Sequence, residues 1–211
     1  MADQPAPLHQ RILALVRAQP LIIVELLASA EPELRARLLE RSWVARVQDP
    51  NLRMTGLDGE DIDMVVDLVI TLEATDQGKG PSKIAVVVEC QLQPDREKLY
   101  AWAEYLAAVR STHRCIGKVL VLSPVDAVFS WADDLFSAEP WFRPALVGRE
   151  QMPRIDDRDR ALREPELALL SAVFHGGHEG GASIVSAAAL AIRELPASRQ
   201  LEYLDMLPSD V

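Results

Sequence analysis

Ile84-Ala85-Val86-Val87-Val88-Glu89-Cys90-Gln91 is the stretch whose reading decides the fold. Its apolar run, rich in β-branched residues, predicts a buried β-strand that ends on an acid. An earlier run, Met64-Val65-Val66-Asp67-Leu68-Val69-Ile70, carries one acid in its middle. A buried carboxylate without a partner is costly, so an acid inside such a run wants a reason. Met64 to Glu73 reads as one strand and Ile84 to Gln91 as the next. Thr75-Asp76-Gln77-Gly78-Lys79-Gly80-Pro81 is a glycine-rich polar turn, so the two strands should form a hairpin.

Side chains alternate faces along a strand, which puts Glu89 and Gln91 on one face and Val88 and Cys90 on the other. With Asp67 pointing to the same side as Glu89, two carboxylates and an amide would meet. Mg²⁺ is held through one or two carboxylates and keeps several waters, so Asp67 and Glu89 are candidate ligands for Mg²⁺ or Mn²⁺. Such an ion activates water and neutralises a phosphoryl oxygen, the two requirements of phosphodiester hydrolysis. The competing reading places these acids at strand ends for solubility.

Outward from this hairpin, the N-terminal part predicts three helices. Leu8 to Val16 is amphipathic, Pro20 opens Leu21 to Ala28, and Glu31 or Pro32 begins a third through Leu38 and Leu39. Ser42 to Val47 predicts a short strand, broken by Asp49-Pro50-Asn51. After the hairpin, Asp95 is expected to cap a helix, Arg96 to Arg110, with Leu99, Trp102, Ala103, Leu106 and Val109 on its apolar face. A buried strand, Lys118 to Leu122, a helix, Val125 to Phe136, and a strand, Pro144 to Val147, complete the central block. The last third predicts helices Glu164 to Phe174, Ile184 to Ile192 and Ser198 to Leu207. The order describes an α/β protein: a mixed sheet with helices against it.

A length of 211 residues, 49% hydrophobic and 26% charged, suits one globular domain with a small appendage. No run reaches membrane-spanning length, and the N-terminus lacks a secretory pattern. Two cysteines, Cys90 and Cys115, make neither a disulfide framework nor a zinc site, and a cytoplasmic setting is the simplest expectation. The net charge of −10 argues against a surface that grips nucleic acid all over. A local basic patch remains: Lys79, Lys83, Arg96, Lys98, Arg110, Arg114 and Lys118 outnumber Glu89, Asp95, Glu97 and Glu104 in the same segment. His175-Gly176-Gly177-His178-Glu179 lacks further ligands at zinc spacing, Gly78-Lys79-Gly80 is no phosphate loop, and no Gly-x-Ser-x-Gly elbow occurs. Asp61 and Asp63 read as a solvated strand start.

The order helix, three strands, helix, strand, with Asp67 on the second strand and Glu89-Cys90-Gln91 on the third, resembles the PD-(D/E)xK nuclease superfamily. Gln91-Leu92-Gln93-Pro94-Asp95-Arg96-Glu97-Lys98 with Tyr105-Leu106 is similar to its transposase-like branch, which carries a Glu-x-Gln motif. Glu164-Pro165-Glu166-Leu167 with His175-Gly176 resembles uncharacterised proteins of that branch. The core resemblance covers about residues 20 to 148. It implies a restriction-endonuclease-like mixed β-sheet flanked by helices over residues 1–155, with a helical C-terminal extension, residues 156–211, packed on the core.

The resemblance further implies a metal-dependent nuclease that hydrolyses DNA phosphodiester bonds, with Asp67 and Glu89 as metal-binding acids and Gln91 as the third catalytic residue. Gln91 falls where many members have lysine, and glutamine can position water but brings no charge. Arg96 or Lys98 is a candidate to supply that charge, against the reading of both as ordinary helix-start residues. Glu25 matches an additional acid that members place on the first core helix, against an exposed-stripe reading. Gln93, Arg96, Lys98 and Arg114 are the candidate nucleic-acid contacts, and Tyr100 and Tyr105 are open to stacking, while Trp102 belongs to the core. The alternative is a catalytically inactive nuclease-fold module for binding or oligomeric assembly. The apolar helices from Ile184 to Leu207 fit either a homodimer interface or completion of the domain's own core.

Overall fold

Leu68–Ala74 and Lys83–Cys90 form the expected antiparallel hairpin, with Leu68 opposite Val88 and Glu73 opposite Lys83. The computed structural model describes residues 8–55, 60–77, 80–137 and 141–207. Gly78 and Lys79 of the hairpin turn lie outside them. In chain order the elements are α1 (Leu8–Ala18), α2 (Ile22–Ala30), α3 (Pro32–Leu39), β1 (Trp43–Gln48), β2 (Asn51–Thr55), β3 (Asp61–Val65), β4 (Leu68–Ala74) and β5 (Lys83–Cys90). There follow α4 (Lys98–His113), β6 (Ile116–Leu122), α5 (Asp126–Ser137), β7 (Ala145–Val147), α6 (Arg158–Arg163), α7 (Pro165–His175), α8 (Gly181–Arg193) and α9 (Ala197–Leu204).

The protein is an α/β fold around a mixed five-stranded sheet ordered β1-β4-β5-β6-β7, with a helical C-terminal region. The pairs β1–β4 and β4–β5 are antiparallel, and the pairs β5–β6 and β6–β7 are parallel. Both faces of the sheet are covered, which is why β4, β5 and β6 read as continuous apolar runs rather than alternating ones. Ile70, Val86, Val88 and Leu120 face a large core closed by α1, α2, α7 and α8. Val69, Ala85, Val87 and Val121 face a second core with Trp102, Val109 and Phe136 from α4 and α5.

Three expectations need correction. Met64 to Glu73 is not one strand: β3 leaves the main sheet and pairs with β2 in a separate antiparallel ribbon, Leu52 opposite Met64. The chain bends at Val66 and Asp67 between β3 and β4, because the two strands serve different sheets. Asp67 therefore stands before its strand, not within it. Second, α4 starts at Lys98, and Asp95 acts one turn earlier, its carboxylate accepting from the Glu97 N–H at 3.1 Å. Third, Ala103 is exposed, whereas Leu99, Trp102, Leu106 and Val109 of the expected apolar face of α4 pack in the second core together with Ala108.

The C-terminal helices complete the domain's own core: Leu167, Leu170, Phe174, Ile184 and Ile192 share one apolar cluster with Ile12, Ile23 and Val86. Among the described residues no single helix is long and apolar enough to cross a membrane. α1 and α2 are apolar but meet at a bend of 114°.

Candidate functional site

Glu89 is the penultimate residue of β5, on the face that meets α4. Its side chain is only 2% exposed, so its charge depends wholly on local partners. Three donors reach it. The Lys98 ammonium stands 2.7 Å from Oε2, the Trp102 indole N–H donates to the same oxygen at 3.2 Å, and the Asp67 backbone N–H reaches Oε1 at 3.4 Å. Lys98 and Trp102 lie four residues apart on α4, one helical turn, so one face of the helix delivers both.

Asp67 occupies the bend between β3 and β4, beside the end of β5. Its Oδ2 accepts from the Cys90 backbone N–H at 3.1 Å and lies 2.8 Å from His9 Nε2. Both of these contacts are to Oδ2, not Oδ1. The carboxylate is a quarter exposed and forms part of a cleft of about 620 Å³ along α1. Asp67 thus faces solvent while Glu89 lies behind it, the two tied through the Asp67 N–H.

The electrostatics favour a charged lysine. Burial pulls the Lys98 ammonium down, but Glu89, Tyr105 and Asp67 outweigh it and hold Lys98 above the ordinary lysine value. Its Nζ also lies 5.9 Å from the Tyr105 ring centroid. Burial, followed by the charges of Asp67 and Glu89, pushes the Cys90 thiol up to about 12. Cys90 is therefore a protonated, buried thiol at neutral pH, neither nucleophile nor metal ligand.

The remaining expected residues separate into near and far. The Gln91 backbone N–H donates to the Leu122 carbonyl, and its side-chain Nε2 is turned onto the Gln93 carbonyl at 2.5 Å. Gln93 and Arg96 are exposed on the segment from β5 into α4. Arg114 is the C-cap of α4, in the left-handed conformation at φ 51°. With 16 residues in α4, it stands about 24 Å from the Lys98 end, and this distance removes it from the Asp67–Glu89 site. Glu25 does not join the acids either: it pairs with Arg160 of α6 at 2.5 Å, and Arg160 is also bound by Glu164. Glu25 is half-buried on α2 beside that arginine.

Other sequence signals have local explanations. Asp61 and Asp63 both pair with Arg53 across the β2–β3 ribbon. His175 is buried with Nε2 on the Met152 carbonyl at 3.0 Å. Trp102 is core, as expected, but its indole N–H also serves Glu89.

His9 is the residue that the sequence did not reveal. It starts α1, and its contact with Asp67 spans 58 positions. Nothing in its immediate neighbours marks it, because only the packing of α1 over the β3–β4 bend creates the contact.

No group of three or more His, Cys, Asp or Glu side chains gathers around a metal position among the described residues, so the donor set does not suit zinc. Of the two acids, only the Asp67 carboxylate is open to solvent, while Glu89 is enclosed with donors on both oxygens. No protein-family model, curated protein or solved structure matches the chain.

Proposed function

We propose that this protein is a metal-dependent nuclease of the PD-(D/E)xK type, hydrolysing phosphodiester bonds of DNA at Asp67 and Glu89. One observation carries the reading: at the end of β5 the Asp67 backbone N–H reaches Glu89 Oε1 and Lys98 pairs with Glu89 Oε2, so the two acids and a lysine stand side by side where the sheet meets α4. The order of the sheet, an antiparallel β1-β4-β5 meander followed by parallel β6, supports it. Mg²⁺ or Mn²⁺, held by Asp67 and Glu89, would neutralise a phosphoryl oxygen and lower the pKa of its water.

The chain's own groups have distinct tasks in this reading. Lys98 supplies the fixed positive charge that Gln91 lacks, beside the position where a pentavalent phosphate gathers negative charge. A lysine on the helix can substitute for one on the strand because α4 begins directly over Glu89. Trp102 orients Glu89 through its indole N–H, and His9 fixes Asp67 by holding Oδ2. Gln91 positions the attacking water through its amide oxygen. Gln93 and Arg96 border the site and are available to phosphate oxygens.

One observation favours the alternative, a catalytically inactive binding module. Glu89 is almost fully enclosed, and both of its oxygens already have protein donors. In that reading Lys98 simply neutralises a buried acid. The two readings differ in a cleavage assay with labelled DNA and Mg²⁺ or Mn²⁺. For the nuclease, Asp67→Ala and Glu89→Ala abolish cleavage, and Lys98→Ala lowers the rate by about 10²-fold. Equal residual cleavage by wild type and all three variants would leave only the binding module.

A further inference from the structure

α1 carries His9, Arg11 and Arg17 and no carboxylate, in a chain whose net charge is −10. Its exposed side forms one wall of the 620 Å³ cleft that opens onto Asp67. Asp205 and Met206 line the same cleft, and the Arg11 guanidinium donates to the Asp205 backbone carbonyl. That bond uses a neutral acceptor, so the charge of Arg11 is not cancelled by it. Arg17 is exposed and no acid pairs with it among the described residues.

We propose that this cleft is the track for the phosphodiester backbone of a nucleic acid, with Arg17 as a phosphate contact remote from the site of cleavage. The inference rests on reading Asp67 and Glu89 as a phosphodiester site. Arg17 lies eight residues after His9, about 12 Å along the helix. At an axial spacing of about 3.4 Å per nucleotide of a duplex strand, it meets a phosphate roughly three to four positions from the one at Asp67. The spacing of His9, Leu13 and Arg17, one turn apart each, keeps the three residues on one side of α1 facing the cleft. Arg114, at the far end of α4, cannot serve this strand. Among the described residues that line the cleft, Asp205 is the acid besides Asp67, and its carboxylate opposes a phosphate there.

The test is binding of a fluorescein-labelled 30-base-pair duplex by the full chain in Ca²⁺, titrated with salt. Arg17→Ala is expected to weaken binding several-fold and to reduce the slope of log K against log salt by about one. Arg17→Lys should keep the slope, and Asp205→Asn should tighten binding. Arg17 is a solvent-exposed side chain, so an unchanged melting curve will verify that each variant is folded. Failure of wild type to bind the duplex overturns the inference, as does an unchanged affinity and slope in both Arg17→Ala and Arg17→Glu. Cleavage assays run in parallel separate this outcome from the fate of the nuclease reading. Asp67-dependent cleavage with Arg17-independent binding removes the track and keeps the nuclease. Arg17-dependent binding without any cleavage keeps the track and removes the nuclease.

Discussion

His175 shows how a single buried side chain ties stability to pH. Burial, above all, pushes its pKa down; the Met152 carbonyl works against this, while Arg154, Arg149 and His178 add to the depression. Its Nε2–H donates to Met152 and its Nδ1 is buried without a partner, so the native ring is the neutral tautomer. A histidine whose pKa is lowered by folding binds fewer protons in the native than in the unfolded state below its ordinary value of 6.5. Its contribution is present above that pH and is lost as pH falls through the native value. Urea titrations should therefore show stability declining below about pH 6.5. His113, pushed down by burial and then Lys83, adds a slope of the same sign. His175→Gln can still donate to the carbonyl but cannot titrate, and it should flatten part of the decline. An unaltered pH profile in that variant would show that His175 binds protons alike in the native and unfolded states, and would overturn this reading.

The elements around the α7–α8 turn are held by close backbone approach. A Cβ on Gly181 would stand 2.3 Å from the Gly176 carbonyl oxygen and 2.5 Å from that of His175, and neither is a flexible group. Gly181→Ala should cost about 1–3 kcal/mol by overpacking. Gly177→Ala, where a Cβ meets nothing within 4 Å, is the control and should leave the melting temperature nearly unchanged. Equal melting temperatures for the two variants would mean the turn can open without loss. The same elements show what a sequence reveals. β4, β5 and β6 were legible because both sheet faces are covered, so their apolar runs are long and unbroken. β2 and β3 were not: each is a five-residue edge of a two-stranded ribbon, and Leu52 and Met64 are their buried anchors. Asp67 and Glu89 stood out as acids in or beside apolar runs. Lys98 could only be weighed against Arg96, because the phase of α4 over the sheet decides which of them turns inward. His9 left no local trace, since a contact across 58 positions exists only after folding.

At the scale of the whole molecule, the helices after residue 155 are part of the structure that supports the site. α7 and α8 share an apolar cluster with α1 and with the inner face of the sheet. Glu166 of α7, itself buried, accepts from Arg199 and from the Tyr203 hydroxyl, which fastens the following α9 to the same layer. A chain ending at residue 155 would lose Leu167, Phe174 and Ile184 from the apolar cluster that holds Ile12, Leu15, Val16 and Ile23. Such a fragment should bind a hydrophobic dye and lack a cooperative melt while keeping much of its far-ultraviolet signal. A sharp transition without dye binding would show that residues 1–155 fold alone.

The seating of α1 against α7 also sets an order in time. Ribosomes add about 5–20 residues per second, so the segment bearing His9 and Arg17 waits roughly 8–33 s for the chain to reach His175. Until then α1 lacks the α7 side of its packing, and Asp205 and Met206, which also line the cleft, follow later still. On the nuclease reading proposed above, a nascent chain would emerge beside its messenger RNA without an assembled site, and the cleft would be complete only with the last third of the polypeptide.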